Sequence, residues 1–159
     1  MSLIGILTQN QNKAYLKEQL KKRKLEDVFF LTESTAQNMR NVKFDTFLLG
    51  KKITEKQEMI REIAKRTDYF ILNSDVKENL QLLENLDLKI ITYGYNQKAS
   101  ITTSSVEEEK VIVFLQRGIK NIYQEEIEPQ EIEMKMDEST NNSAILELAS
   151  LLFLYSKKD

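Results

Sequence analysis

The chain lacks cysteine, histidine and tryptophan altogether, and it has one proline and four glycines in 159 residues. Without cysteine it can form neither a disulfide nor a thiolate metal site, and without histidine it has no imidazole to act as ligand, proton shuttle or general base. Zinc chemistry and Ser-His or Cys-His nucleophile pairs are therefore excluded within the chain, and no metal ligands or catalytic residues are assigned. The scarcity of proline and glycine leaves no linker-like stretch, and no repeat is evident. Residues 1–159 are therefore read as a single domain.

Long apolar runs are also missing at the start. The opening Met-Ser-Leu-Ile-Gly-Ile-Leu has no basic lead and is too short for a signal peptide or a membrane span, so a cytoplasmic protein with no membrane partner is expected. An excess of positive charge is absent too, with 23 Lys and Arg against 25 Asp and Glu and a formal net charge of -2. A general nucleic-acid binder needs clustered cations to displace counterions, so no nucleic-acid partner is expected. Lys21, Lys22, Arg23 and Lys24 do cluster, but cations favour a helix C-terminus, and that reading outranks phosphate binding.

What is present is a recurring alternation. Short continuous apolar runs occur at Leu3 to Leu7, Val28 to Leu31, Thr46 to Leu49, Tyr69 to Leu72 and Leu88 to Ile91. Runs without polar alternation belong to strands covered on both faces. Between them lie helical patterns: about Lys13 to Lys24, then Met59, Ile60, Ile63 and Ala64 on one face, then Val76, Leu80, Leu83 and Leu86. Thr54 with Gln57 three residues on reads as a capping box for the second of these, and Asp75 with Glu78 opens the third. The segment from Ser34 to Lys43 is poorly patterned and reads as a short helix or a loop.

After Gly94 the pattern changes to period two, as in Ile132, Met134 and Met136 alternating with Glu131, Glu133 and Lys135, which marks strands with one wet face. Strands at Ile101 to Val106 and Val111 to Leu115 and a helix from Asn142 to Tyr155 complete the chain. The expected fold is α/β: a three-layer, Rossmann-like, mostly parallel sheet over residues 1–94. An antiparallel extension and a terminal helix over 95–159 belong to the same domain.

In parallel sheets ligands collect beyond the carboxyl ends of the strands. The first such loop, Thr8 to Asn12, has no glycine and matches neither a dinucleotide fingerprint nor a P-loop, so no cofactor is assigned. A magnesium-dependent phosphoacceptor site has only Glu33 and Asp75 to draw on and is discounted. The loop Asn73-Ser74-Asp75 offers polar groups to a ligand, although capping of a helix start is the favoured explanation of Ser and Asp there. Tyr93 and Tyr95 could stack on a planar ring, with Asn96 beside them and Lys98 meeting an anion, and buried packing is the favoured role for one of the two tyrosines.

Two segments carry a family resemblance. Tyr69-Phe70-Ile71-Leu72-Asn73-Ser74-Asp75, a helix, and Lys89-Ile90-Ile91-Thr92-Tyr93-Gly94-Tyr95-Asn96-Gln97-Lys98-Ala99 resemble the closing part of the central domain of Mur ligases, and the order that follows, antiparallel strands and then Asn141-Asn142-Ser143-Ala144 opening an apolar helix, is also similar, over roughly residues 68–155. The resemblance implies a position for Asn73 beside an adenine, and thus a weak nucleotide as partner and a link to cell-wall metabolism. Val76 stands where the family has a second Asp, and the Gly-Lys-Thr phosphate loop, the magnesium-binding acid and the catalytic histidine region have no counterpart. The expected function is therefore a non-catalytic binding or regulatory domain. The alternatives are a ligase-like enzyme completed by a partner chain and a self-associating scaffold.

The scaffold reading rests on the last helix. If Ile145, Leu148, Leu152 and Tyr155 cover the core, then Leu151, Phe153 and Leu154 face outward and offer an interface for a homodimer or a protein partner. The competing expectation is that the antiparallel extension wraps the helix and buries both sides.

Overall fold

The apolar runs become the central strands. The structure, a computed structural model, describes residues 3–25, 27–137 and 140–157. In chain order the elements are β1 (Ile4–Leu7), α1 (Asn10–Lys22), β2 (Val28–Phe30), α2 (Glu33–Asn38), β3 (Thr46–Leu49), α3 (Gln57–Arg66), β4 (Tyr69–Asn73), α4 (Lys77–Leu82) and β5 (Lys89–Tyr93). There follow β6 (Ile101–Val106), β7 (Lys110–Leu115), β8 (Ile119–Lys120), β9 (Glu126–Ile127), β10 (Gln130–Lys135) and α5 (Asn142–Tyr155).

The main sheet has eight strands in the order β10-β7-β6-β5-β4-β3-β1-β2, and β8 and β9 form a separate two-stranded antiparallel sheet. β2, β1, β3, β4 and β5 are parallel. β6 joins β5 in parallel through the pair Tyr93 and Ile101, and β7 and β10 then follow antiparallel. The fold is thus α/β with a mostly parallel mixed sheet, an antiparallel edge and a C-terminal helix. Among the described residues no helix is long and apolar enough to cross a membrane.

Strand residues alternate between two apolar clusters. Ile4, Ile6, Leu48, Tyr69 and Ile71 join Leu16 and Leu20 of α1 and the apolar residues of α5. Leu7, Phe47, Leu49, Phe70 and Leu72 join residues of α2, α3 and α4. Burial on both sides explains why these strands show no polar alternation.

Two helix readings need correction. α3 buries Met59, Ile60, Ile63 and Ala64 as the spacing predicts, but it begins after Lys56, at φ 55°, and Thr54 does not cap it. The cause lies in α4, whose Asn79 is fully buried and holds the preceding loop. Its Oδ1 accepts from the Ile53 amide at 3.2 Å, and its Nδ2 donates to the Lys51 carbonyl at 2.8 Å. Seating Asn79 also shifts the buried face of α4, so Leu83 is buried as expected but Leu82 joins it and Leu80 is exposed.

The terminal helix is corrected as well. Leu151, Phe153 and Leu154 do not face outward: they are 0%, 4% and 0% exposed, whereas Leu152 and Tyr155 are only partly buried. α5 packs against α1, β5, β6 and β7, and Ile119 and Ile127 of the small sheet join the same cluster. The extension therefore wraps the helix, and its wide apolar stripe is spent within the chain. Tyr155 reaches back to β3, where its hydroxyl lies 2.6 Å from Thr46 Oγ1.

Candidate functional site

One charged residue, Glu147, interrupts the apolar sequence of α5, and it is fully buried. Helix α5 carries it to the carboxyl ends of the parallel strands. Thr8 follows β1, Gly50 follows β3, and Tyr93 closes β5. Thr8 Oγ1 lies 2.9 and 2.8 Å from the two Glu147 oxygens, Asn12 Nδ2 donates to Oε1 at 3.1 Å, and Tyr93 Oη donates to Oε2 at 2.5 Å. A methyl group at Gly50 would collide with Glu147 Oε2 and lie 2.6 Å from Thr8 Oγ1 and 2.8 Å from Tyr93 Oη. Only glycine leaves room for the carboxylate.

The network extends to the start of α5. Asn12 Nδ2 also donates to Ser143 Oγ at 3.1 Å, and Asn141 Nδ2 donates to Asn12 Oδ1 at 2.7 Å. Asn141 Oδ1 accepts from Ser143 Oγ and from the Ala144 amide, which caps the helix. Among the described residues no buried side-chain polar atom is left without a partner.

Burial disfavours the charged form of both ionisable members. Desolvation raises the Glu147 carboxyl above its ordinary value, opposed by the hydrogen bonds from Tyr93, Thr8 and Asn12. The Tyr93 phenol is pushed well above its ordinary value, first by burial and then by the Glu147 charge and hydrogen bond, with Asp75 adding to it. As arranged, the group ties β1, β5, α1 and α5 together through one shared carboxyl.

The residues singled out in the sequence form a second, neighbouring locus at the ends of β4 and β5. Asp75 does not cap α4. Its carboxylate instead accepts from the Tyr95 amide at 2.7 Å, the Asn96 amide at 3.2 Å and Asn96 Nδ2 at 2.7 Å. Asn73 Oδ1 accepts the Asp75 amide at 2.9 Å, Ser74 Oγ accepts from Asn96 Nδ2 at 2.7 Å, and the Lys98 amide donates to Asn96 Oδ1 at 2.9 Å. Gly94, at φ 153°, sits against the Asp75 carboxylate, where a side chain would be strained.

The fold thus brings Asn73, Ser74, Asp75, Asn96 and the backbone of Tyr95 and Lys98 into one clasp. Tyr93 is the buried tyrosine of the pair and offers no ring face to a ligand, while Tyr95 is 57% exposed. Sequence reading missed Glu147, Thr8, Asn12 and Gly50 as a group. The available signal was the lone glutamate in a fourteen-residue apolar helix.

The clasp is testable. Asp75→Ala should lower stability by about 1–2 kcal/mol, the range for losing charge-assisted hydrogen bonds at a screened position. Urea midpoints give the loss, and amide exchange at Tyr95 and Asn96 should quicken while β3 is unaffected. Unchanged exchange at those two amides would show that the clasp does not hold the turn.

No protein-family model matches the chain, and no curated protein matches it.

Proposed function

We propose that the protein is a non-catalytic binding domain of three-layer, Rossmann-like plan, similar to a Mur ligase central domain without its phosphate loop. One observation carries the reading. The strand order β2-β1-β3-β4-β5 reverses direction between β1 and β3, and in doubly wound sheets the ligand crevice opens at that reversal. Here Thr8 and Gly50, which follow those two strands, both lie against Glu147, so the chain's own helix occupies the place. A ligand is then left with the adjoining loops after β4 and β5, where Tyr95 and Lys98 are exposed. The two motifs behind the Mur resemblance meet in that clasp, which supports their acting as one unit.

Adenine nucleotide with magnesium is the first probe. The expected results are no phosphate release and weak binding, with a Kd of about 1 mM or above, seen as amide shifts at residues 95–98. A uridine-diphosphate muramyl peptide tests the cell-wall link in the same titration. Magnesium-dependent phosphate release that Asn73→Ala abolishes would overturn the reading in favour of an enzyme.

A further inference from the structure

The two outer strands of the main sheet are managed differently. β2 has three residues and follows Asp27 at φ 60°, a short edge that offers little to pair with. β10 has six, and among the described residues it pairs only with β7. Its outer row of backbone groups is the longest free edge of the described sheet.

The side chains along β10 sort by face. Ile132 and Met134 belong to the cluster under α5, and beside them a groove of about 400 Å³ has Ile127, Ile132, Leu152 and Phe153 in its lining, with Glu128 and Lys157 among the polar residues that complete it. Ile132 and Leu152 are only partly buried there. On the other face Glu131, Glu133 and Lys135 are exposed. Lys110 lies 3.8 Å from Glu133 and 3.6 Å from Glu107, and among the described residues Glu131 has no ion pair. The edge therefore presents an apolar row on one side and excess negative charge on the other.

We infer that β10 is a docking edge for an extended segment of a partner protein in which apolar and basic side chains alternate. Such a segment would add as a strand through main-chain hydrogen bonds, drop apolar side chains into the groove and set its cations opposite Glu131 and Glu133. A second copy fits less well. Antiparallel self-pairing with matched faces, centred on residue 131, 132 or 133, sets at least one glutamate opposite another, which is destabilising. The edge shares no residue with the Asp75 clasp and does not depend on it.

The test uses the full chain and three labelled decapeptides: alternating valine and lysine, alternating valine and glutamate, and the lysine peptide with a central proline. The lysine peptide should bind saturably, with amide shifts at residues 130–135. The glutamate and proline peptides should each bind about ten-fold more weakly or worse, and so should the lysine peptide to the Glu131→Lys/Glu133→Lys double variant. Glu58→Lys, a single charge reversal on α3 away from the edge, should leave binding unaltered. Failure to saturate, equal loss with Glu58→Lys, shifts away from β10, or a dimer formed through β10 in sedimentation would each overturn the inference.

Discussion

Leu154→Lys is expected to leave the chain unfolded or aggregated, and Leu151→Lys likewise. Both leucines are 0% exposed, and the Leu154 carbonyl accepts from the Ile122 amide at 3.1 Å, so the extension lies directly over this turn of α5. Removing the buried leucine costs about 2–5 kcal/mol. An unpaired ammonium placed in that apolar cluster adds a desolvation cost of several kcal/mol. A domain of this size is typically stable by about 5–15 kcal/mol, so the sum removes most or all of it. Leu152→Lys, on the partly buried side, should remain folded. Soluble yield and circular dichroism of the three variants decide the matter. A folded, soluble Leu154→Lys monomer would mean that the residue faces outward after all.

Gly50→Ala should be nearly as severe, at about 3–5 kcal/mol, combining overpacking with the loss of buried hydrogen bonds. The added methyl meets three polar atoms at once, so no single rotamer change relieves it. Glu147→Ala removes the main obstacle. The double variant should therefore be more stable than the two losses predict, by about 1–3 kcal/mol of coupling. Additive losses would show that Gly50 and the carboxylate do not meet.

The same carboxyl gives a pH signature. Its folded value is raised, so the folded state holds the proton more tightly than the unfolded chain. The contribution is then fully present below the ordinary carboxyl value and lost as pH rises through the folded value. Glu147→Gln should flatten that fall in denaturant midpoints. Tyr93 acts with the same sign at alkaline pH, because its folded proton is also held more tightly, and Tyr93→Phe should remove that component.

β1 to β5 fall within a residue or two of their runs, and in β1, β3 and β4 burial on both faces leaves the unbroken apolar signature, whereas β2 and β5 are covered incompletely, with Phe29 and Ile90 exposed. α5 was legible from Asn142 to Tyr155 for a related reason, since its length and cap are written locally. Its orientation was not. A helix apolar all round has no moment to read, and the side that faces the sheet is set by where Glu147 finds donors. Asn79 shows the same limit: it looks like a surface residue, yet two backbone bonds to the Lys51–Ile53 loop pull it inside and re-phase α4. Asn73, Ser74, Asp75 and Asn96 were found because they lie on the loops of adjacent strands. Thr8, Asn12 and Gly50 were not grouped, because the residue that unites them is 139 positions from Thr8.

The distance from Thr8 to Glu147 has a bearing on how the chain matures on the ribosome. The face of β1, β3 and β4 that carries Ile4, Ile6, Leu48 and Ile71 is completed by α5, and α5 is made after every strand of the sheet. During synthesis that face stays bare apart from α1, and the long-range closure that covers it is slow compared with local helix formation. The nascent protein must therefore carry an open apolar surface until residues 142–155 emerge.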